Sequence, residues 1–229
     1  MTVGALALAL LSAAPATVAD SHGEGIRYRE LTGDRERSVG WSVSGEKVLR
    51  VAAWDDERRY LAVCDPDGST RYWSVQGPAL QVEARREGDA LVLEGVRDGR
   101  VLAERREIGP EPWYQALSVA LSGVSEASGA ARFWMLRPDN LEALRLEARP
   151  QGVEQIEVLG QHYTARRVRV TAPPLPTWLW QASYWFRVSD GLMVRYESRQ
   201  GPPGTPLTRV LLEPGAASTP PLPTPISRL

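Results

Sequence analysis

The chain has 229 residues, of which 43% are hydrophobic and 24% charged, with a net charge of −1. That is enough apolar material for one large β domain or two small domains, and too much for a disordered chain. Near neutrality, with Lys47 as the only lysine, argues against a nucleic-acid binder, which carries a clearly basic balance. The single cysteine, Cys64, excludes an internal disulfide.

In chain order, residues 3–11 form an apolar run too short to span a bilayer. Small-residue cleavage sites follow at Ala14-Pro15-Ala16 and Thr17-Val18-Ala19, so 1–19 reads as a secretory signal peptide, although no basic residue precedes the run. No cysteine lies near Ala19 to accept a lipid, and the expected address is periplasmic or secreted, with no integral membrane segment in the mature chain. Residues 20–213 are expected to form a single antiparallel β domain.

From Ile26 to Ile108 short strand-like runs alternate with turns. Strands are expected at 35–43, 47–54, 58–64, 70–76, 80–86, 90–96 and 101–108, punctuated by Ser44-Gly45, Asp55-Asp56, Pro66-Asp67-Gly68, Gly77-Pro78, Glu87-Gly88-Asp89 and Asp98-Gly99. Every connection is of hairpin length, which leaves no room for crossover helices and excludes a parallel sheet here. Pro112 then opens a run with Trp113, Ala116, Leu117, Ala120 and Leu121 at helical spacing, closed by Gly123. This predicts one short amphipathic helix within a joint at 109–130. Further strands are expected at 131–136, 144–148, 153–158, 163–171, 178–188, 192–199 and 207–212, before a Pro-rich, disordered tail at 214–229.

The strongest local signal lies in 177–206. Ser189-Asp190-Gly191 separates two runs rich in rings and β-branched residues, and a three-residue loop ending in glycine is a known hairpin connection. That register pairs Val188 with Leu192, Phe186 with Val194, Tyr184 with Tyr196, Arg187 with Met193, Trp185 with Arg195 and Ser183 with Glu197. Trp178, Trp180, Ala182, Tyr184 and Phe186 then share one apolar face, and something must cover it.

The segment 133–213 resembles an uncharacterised family of exported bacterial proteins defined only as a domain of unknown function. The matching features are Phe133-Trp134 with Arg137-Pro138 and Leu141, and Gly160 before Tyr163-Thr164-Ala165-Arg166-Arg167-Val168. Ala182-Ser183-Tyr184-Trp185-Phe186, Asp190-Gly191-Leu192 and Val194-Arg195-Tyr196 complete them. The resemblance implies a curled antiparallel half-barrel with a helix on its concave side, similar in architecture to lipoprotein carriers of the Lol type. It carries over no catalytic residues.

Chemistry is sparse. No G-x-S-x-G, phosphate loop, C-x-x-C or H-E-x-x-H occurs. His22 sits beside the cleavage site, and His162 reads as a turn residue. In Asp65-Pro66-Asp67-Gly68-Ser69 the glycine falls at the wrong place for a calcium loop, and Gln76 stands where a bidentate glutamate is needed, so this is a turn. Cys64 alternates with Tyr60 and Ala62 and reads as inert packing. The pairs Arg85-Arg86 and Arg105-Arg106, and Arg166-Arg167 with Arg169, read as solvated strand faces with cross-strand partners such as Glu83, Glu94 and Glu104.

These readings converge on an all-β protein, a curled antiparallel meander forming a half-barrel or open barrel with one short helix. No enzyme activity, cofactor, metal or nucleic-acid partner is expected. The expected function is to bind or carry an apolar or amphipathic, lipid-like ligand in the concave face, with Trp113, Leu117, Trp134, Trp178, Trp180, Tyr184 and Phe186 as candidate contacts. The alternative is a structural or protein-interaction module of the envelope with no small-molecule ligand.

Overall fold

A computed structural model describes residues 25–173, 175–177, 179–200 and 204–215. The expected signal peptide, Trp178 and all but the first two residues of the Pro-rich tail lie outside them. Eight strands come first: β1 (Ile26–Thr32), β2 (Arg35–Ser44), β3 (Leu49–Trp54), β4 (Arg59–Cys64), β5 (Thr70–Gly77), β6 (Leu80–Glu87), β7 (Ala90–Arg97) and β8 (Arg100–Glu107). After α1 (Leu117–Glu126) follow β9 (Ala131–Leu136), β10 (Ala143–Val158), β11 (Gln161–Thr171), β12 (Trp180–Arg187), β13 (Met193–Gln200) and β14 (Leu207–Leu212).

The strands form one antiparallel sheet in the order β8-β7-β6-β5-β4-β3-β2-β1-β14-β13-β12-β11-β10-β9. Two meanders are therefore sewn together where the first strand meets the last, with Tyr28 opposite Leu212 and Glu30 opposite Val210. β8 and β9, consecutive in the chain, stand at opposite edges and do not pair with each other, so the sheet is open. Only a curled sheet lets the single stretch 108–130 join those edges. One apolar core results, running from Trp73, Val82 and Leu93 in the first meander to Phe133, Val168 and Phe186 in the second.

The all-β expectation holds, with four local departures. β1 was not among the expected strands: its alternation fails at Glu30-Leu31, and its second partner, β14, lies at the far end of the chain. The two strands expected at 144–148 and 153–158 are one, β10, in which a bulge between Pro150 and Gly152 absorbs both strand breakers, Gly152 adopting φ +103°.

The third departure concerns the helix, which starts at Leu117 rather than at Pro112 and runs past Gly123 to Glu126. Residues 112–114 are extended because their backbone is taken by a strand. Trp134 N–H donates to the Pro112 carbonyl at 2.8 Å, and Tyr114 N–H donates to the Trp134 carbonyl at 2.8 Å. Tertiary pairing outweighs helical spacing here.

The fourth is a shift in the β12–β13 hairpin. Ser183, Tyr184 and Trp185 pair with Glu197, Tyr196 and Arg195 as expected, but Phe186 meets Met193 because a bulge intervenes. The turn is longer than three residues, with Arg187 N–H donating to the Leu192 carbonyl and Asp190 paired to Arg187 at 2.5 Å.

Helix α1 sits on the concave side against β10, β11, β12 and β13. No side chain caps its N-terminus, and neither end carries a charge that would favour its dipole. Packing holds it instead: Val119, Ala120, Leu121 and Val124 are buried. Trp41 Nε1 donates to Ser118 Oγ at 3.1 Å, and Arg166 pairs with Glu126 at 3.2 Å. At Gly68, where φ is +82°, a Cβ would stand 2.5 Å from Ala120 Cα, so the β4–β5 turn must be glycine to admit the helix.

Candidate functional site: the ring-lined concave side and its seam

On β12 the alternation places Ala182, Tyr184 and Phe186 inward. Tyr184 is 8% exposed and Phe186 1%; their rings stack at 6.3 Å, and Tyr184 also meets Tyr196 at 4.8 Å. Trp113 is fully buried. Leu117, on the first turn of α1, and Trp180, at the start of β12, are half-buried and pack on the same core. Of the candidate contacts, then, Trp113, Leu117, Trp180, Tyr184 and Phe186 belong to one interior.

Trp134 is half-buried and packs on that core too, but from the edge strand β9. It lies opposite Arg145 on the other face of β9, and its indole N–H donates to Glu111 Oε2 at 3.3 Å while Arg145 pairs with the same carboxylate. Its neighbour Phe133, fully buried and tilted on Tyr114 at 5.2 Å, is the inward residue. Adjacent strand residues face opposite ways, and Phe133-Trp134 offered two rings for one inward place.

The open seam is bridged by side chains that composition did not single out. Gln115 is the hub. Its Oε1 accepts from Trp113 Nε1 at 3.0 Å and from Leu136 N–H at 3.0 Å, and its Nε2 donates to the Leu136 carbonyl at 2.7 Å. Gln115 N–H donates to Thr70 Oγ1 at 2.9 Å, and Thr70 N–H to the Trp113 carbonyl at 2.7 Å. The glutamine amide thus extends the backbone ladder from the edge of β9 toward β5.

Arginines complete the closure. Arg86 donates to the carbonyls of Gly109 at 3.1 Å and Glu111 at 2.8 Å. Arg97 donates to those of Asn140 at 2.9 Å and Asp139 at 3.2 Å, and Arg106 to that of Leu141. The register puts Arg86 and Arg106 in line with Leu91, and Arg97 in line with Leu80. All three lie on the inward face, where the β9–β10 turn and the 109–111 segment cross over the first meander. Reading the arginine pairs as solvated faces is right for Arg85, which meets Glu94 at 3.0 Å. It needs correction for Arg86, which binds backbone carbonyls across the seam, and in part for Arg106, which keeps Glu104 at 2.5 Å as well as binding the Leu141 carbonyl. Alternation alone could have marked them, since both fall in phase with buried Leu91.

Titratable groups inside are held protonated. Burial pushes the Cys64 thiol up to about 11 and the phenols of Tyr28 and Tyr184 well above their usual range. Cys64 packs with Sγ 3.6 Å from Thr70 Oγ1, the arrangement of a small apolar residue rather than of a nucleophile. Because the unfolded chain releases these protons at lower pH than the folded one, unfolding liberates protons in alkali and stability falls as pH rises. Thermal melts followed by circular dichroism should be flat from about pH 7 to 9 and decline between about pH 9 and 11. Tyr184→Phe should make that decline shallower.

His162, opposite Glu157, is exposed. The 65–69 segment is a turn closed by Gly68 N–H to the Asp65 carbonyl at 2.9 Å, with Arg71 paired to Asp65. Among the described residues no helix is long and apolar enough to cross a membrane.

Two solved structures resemble this architecture. One is a β-barrel-like protein of the domain of unknown function DUF1849 from Brucella abortus. It aligns with a TM-score of 0.52 and 11% identity over 83% of this chain and 97% of that one. The other is the hypothetical lipoprotein YmcC from Escherichia coli, at a TM-score of 0.42 and 12% identity over 84% and 88% of the two chains. The first likeness shows the fold. The chain has the barrel-like architecture of an uncharacterised bacterial domain of unknown function. No family model matches the sequence, and no curated protein matches it.

Proposed function

We propose that the protein is a non-enzymatic component of the bacterial envelope that binds an apolar or amphipathic, lipid-like ligand on the concave side of its curled sheet, with α1 moving aside to admit it. One observation carries this reading: the sheet is open between β8 and β9, and the ring-lined side behind that opening is occupied by a helix with no capping of its own. An uncapped ten-residue helix holds its shape by packing, so an apolar chain offering equivalent contacts can replace it. The export-type N-terminal sequence supports an envelope address.

A second reading is favoured by the tight burial of Trp113, Phe133, Tyr184 and Phe186. It holds that the interior is purely structural and the protein works as an interaction module of the envelope. Native mass spectrometry of protein purified from an envelope fraction, with uptake of a fluorescent fatty acid as a second readout, separates the two. Carriage predicts a co-purified lipid mass and saturable uptake, both reduced in Trp180→Arg and in Leu117→Gln variants whose circular dichroism is unchanged. Ligand-free protein from several hosts, with no uptake, would leave the interaction module standing.

A further inference from the structure

The outward face of β10–β14 carries a ladder of charges with one gap. At one end Glu147 takes Arg132 at 3.3 Å and Arg149 at 2.5 Å. At the other, Glu197 takes Arg195 and, at 3.3 Å, Arg209. Glu154 is engaged by the indole N–H of Trp185 at 2.5 Å. Between these lie Arg167 and Arg169, which form no ion pair among the described residues.

The register brings the two together. Arg169 stands opposite Ser183 and beside Arg149, and Arg167 stands opposite Trp185. Arg167 donates to Ser183 Oγ at 3.1 Å and lies over the Trp185 ring at 5.0 Å, and Arg195, from the neighbouring strand β13, lies over the same ring at 4.8 Å. The Nε atoms of both Arg167 and Arg169 are buried with no acceptor. Ser183, 8% exposed, accepts from Arg167 and keeps a hydroxyl proton to give. Guanidinium groups only donate, so apart from the Ser183 oxygen that Arg167 already uses, the cluster is a surplus of donors. Trp185 and Ser183 fix the position of Arg167 on a rigid central strand, as a built recognition group requires.

We propose that Arg167, Arg169 and Ser183 form a site for a phosphate group on the convex face. A tetrahedral oxyanion placed between two planar guanidiniums takes charge-assisted hydrogen bonds from each and one from the hydroxyl, which relieves the donor surplus. The phosphate can be free or the headgroup of an anionic phospholipid. The site lies on the opposite face of the sheet from the apolar interior and is independent of whether that interior carries a ligand.

Thermal unfolding in phosphate against chloride at matched ionic strength tests it. At phosphate about tenfold above its dissociation constant, Tm should rise by about 3–6 °C, and the rise should disappear in Arg167→Gln/Arg169→Gln with the circular dichroism unchanged. Flotation with phosphatidylcholine vesicles, with and without phosphatidylglycerol, identifies the source. Enrichment on the anionic vesicles that the double variant loses assigns a lipid headgroup, and a Tm rise without enrichment assigns free phosphate. Equal Tm in phosphate and chloride together with no preference for anionic vesicles would overturn the site, as would equal responses from the double variant. Fatty-acid uptake should be the same in wild type and double variant, so the two proposals fail separately.

Discussion

Gln115→Leu should lower the unfolding free energy by about 4 kcal/mol, since it strips partners from three groups at the seam at about 1–3 kcal/mol each. Those groups are Trp113 Nε1 and the N–H and C=O of Leu136. Leu136 and Trp113 are fully buried, so water cannot replace the amide without opening the joint. Leucine fills a similar volume, which keeps cavity formation out of the comparison. Glutamate should fall between the two, because a carboxylate can accept from Trp113 and Leu136 but cannot donate to the Leu136 carbonyl. Urea unfolding of the three proteins gives the order directly.

The second large effect is expected at Arg86. Its guanidinium donates to the carbonyls of Gly88, Gly109 and Glu111 within 3.1 Å, and charged donors contribute about 1.5–3 kcal/mol per bond. Arg86→Met should therefore cost about 3 kcal/mol, a fall in Tm of about 6–12 °C for a chain of this size. Arg86→Lys should recover little of it, since an ammonium is a point charge and cannot span carbonyls that a planar fork reaches together. Arg85→Met is the matched control: its partners Glu87 and Glu94 are exposed, and surface pairs contribute about 0–1 kcal/mol.

These two residues also mark where the sequence was legible and where it was not. Strand positions were readable because alternation and turn residues act locally. Ala131–Leu136 and Leu207–Leu212 appear as expected, and most other strands differ by a residue or two at their ends. The inward burial of Tyr184 and Phe186 was also visible, since one face of β12 had to be covered.

What alternation could not convey was which distant segment completes each local pattern. β1 became a strand through β14. Residues 112–114 became extended through β9, although their spacing read as helix. Trp134 was placed among the interior rings, yet of the adjacent pair Phe133 is the fully buried one, while Trp134 packs on the core half-buried with its indole N–H on Glu111. Gln115 carries no local signature, and alternation marks Arg86 only as inward, in phase with Leu91, because the partners of both exist only once the sheet has curled and its edges face each other.

On the proposed function, α1 is a separable plug inside a rigid curled sheet. Native-state hydrogen exchange measures this directly, since it assigns an opening free energy to each amide. Amides of residues 120–126 should exchange through a local opening several kcal/mol below the global unfolding free energy, while those of Val168 and Tyr184 exchange only by global unfolding. Protection of α1 equal to that of β11 and β12 would contradict the claim and fix the helix as a permanent part of the core.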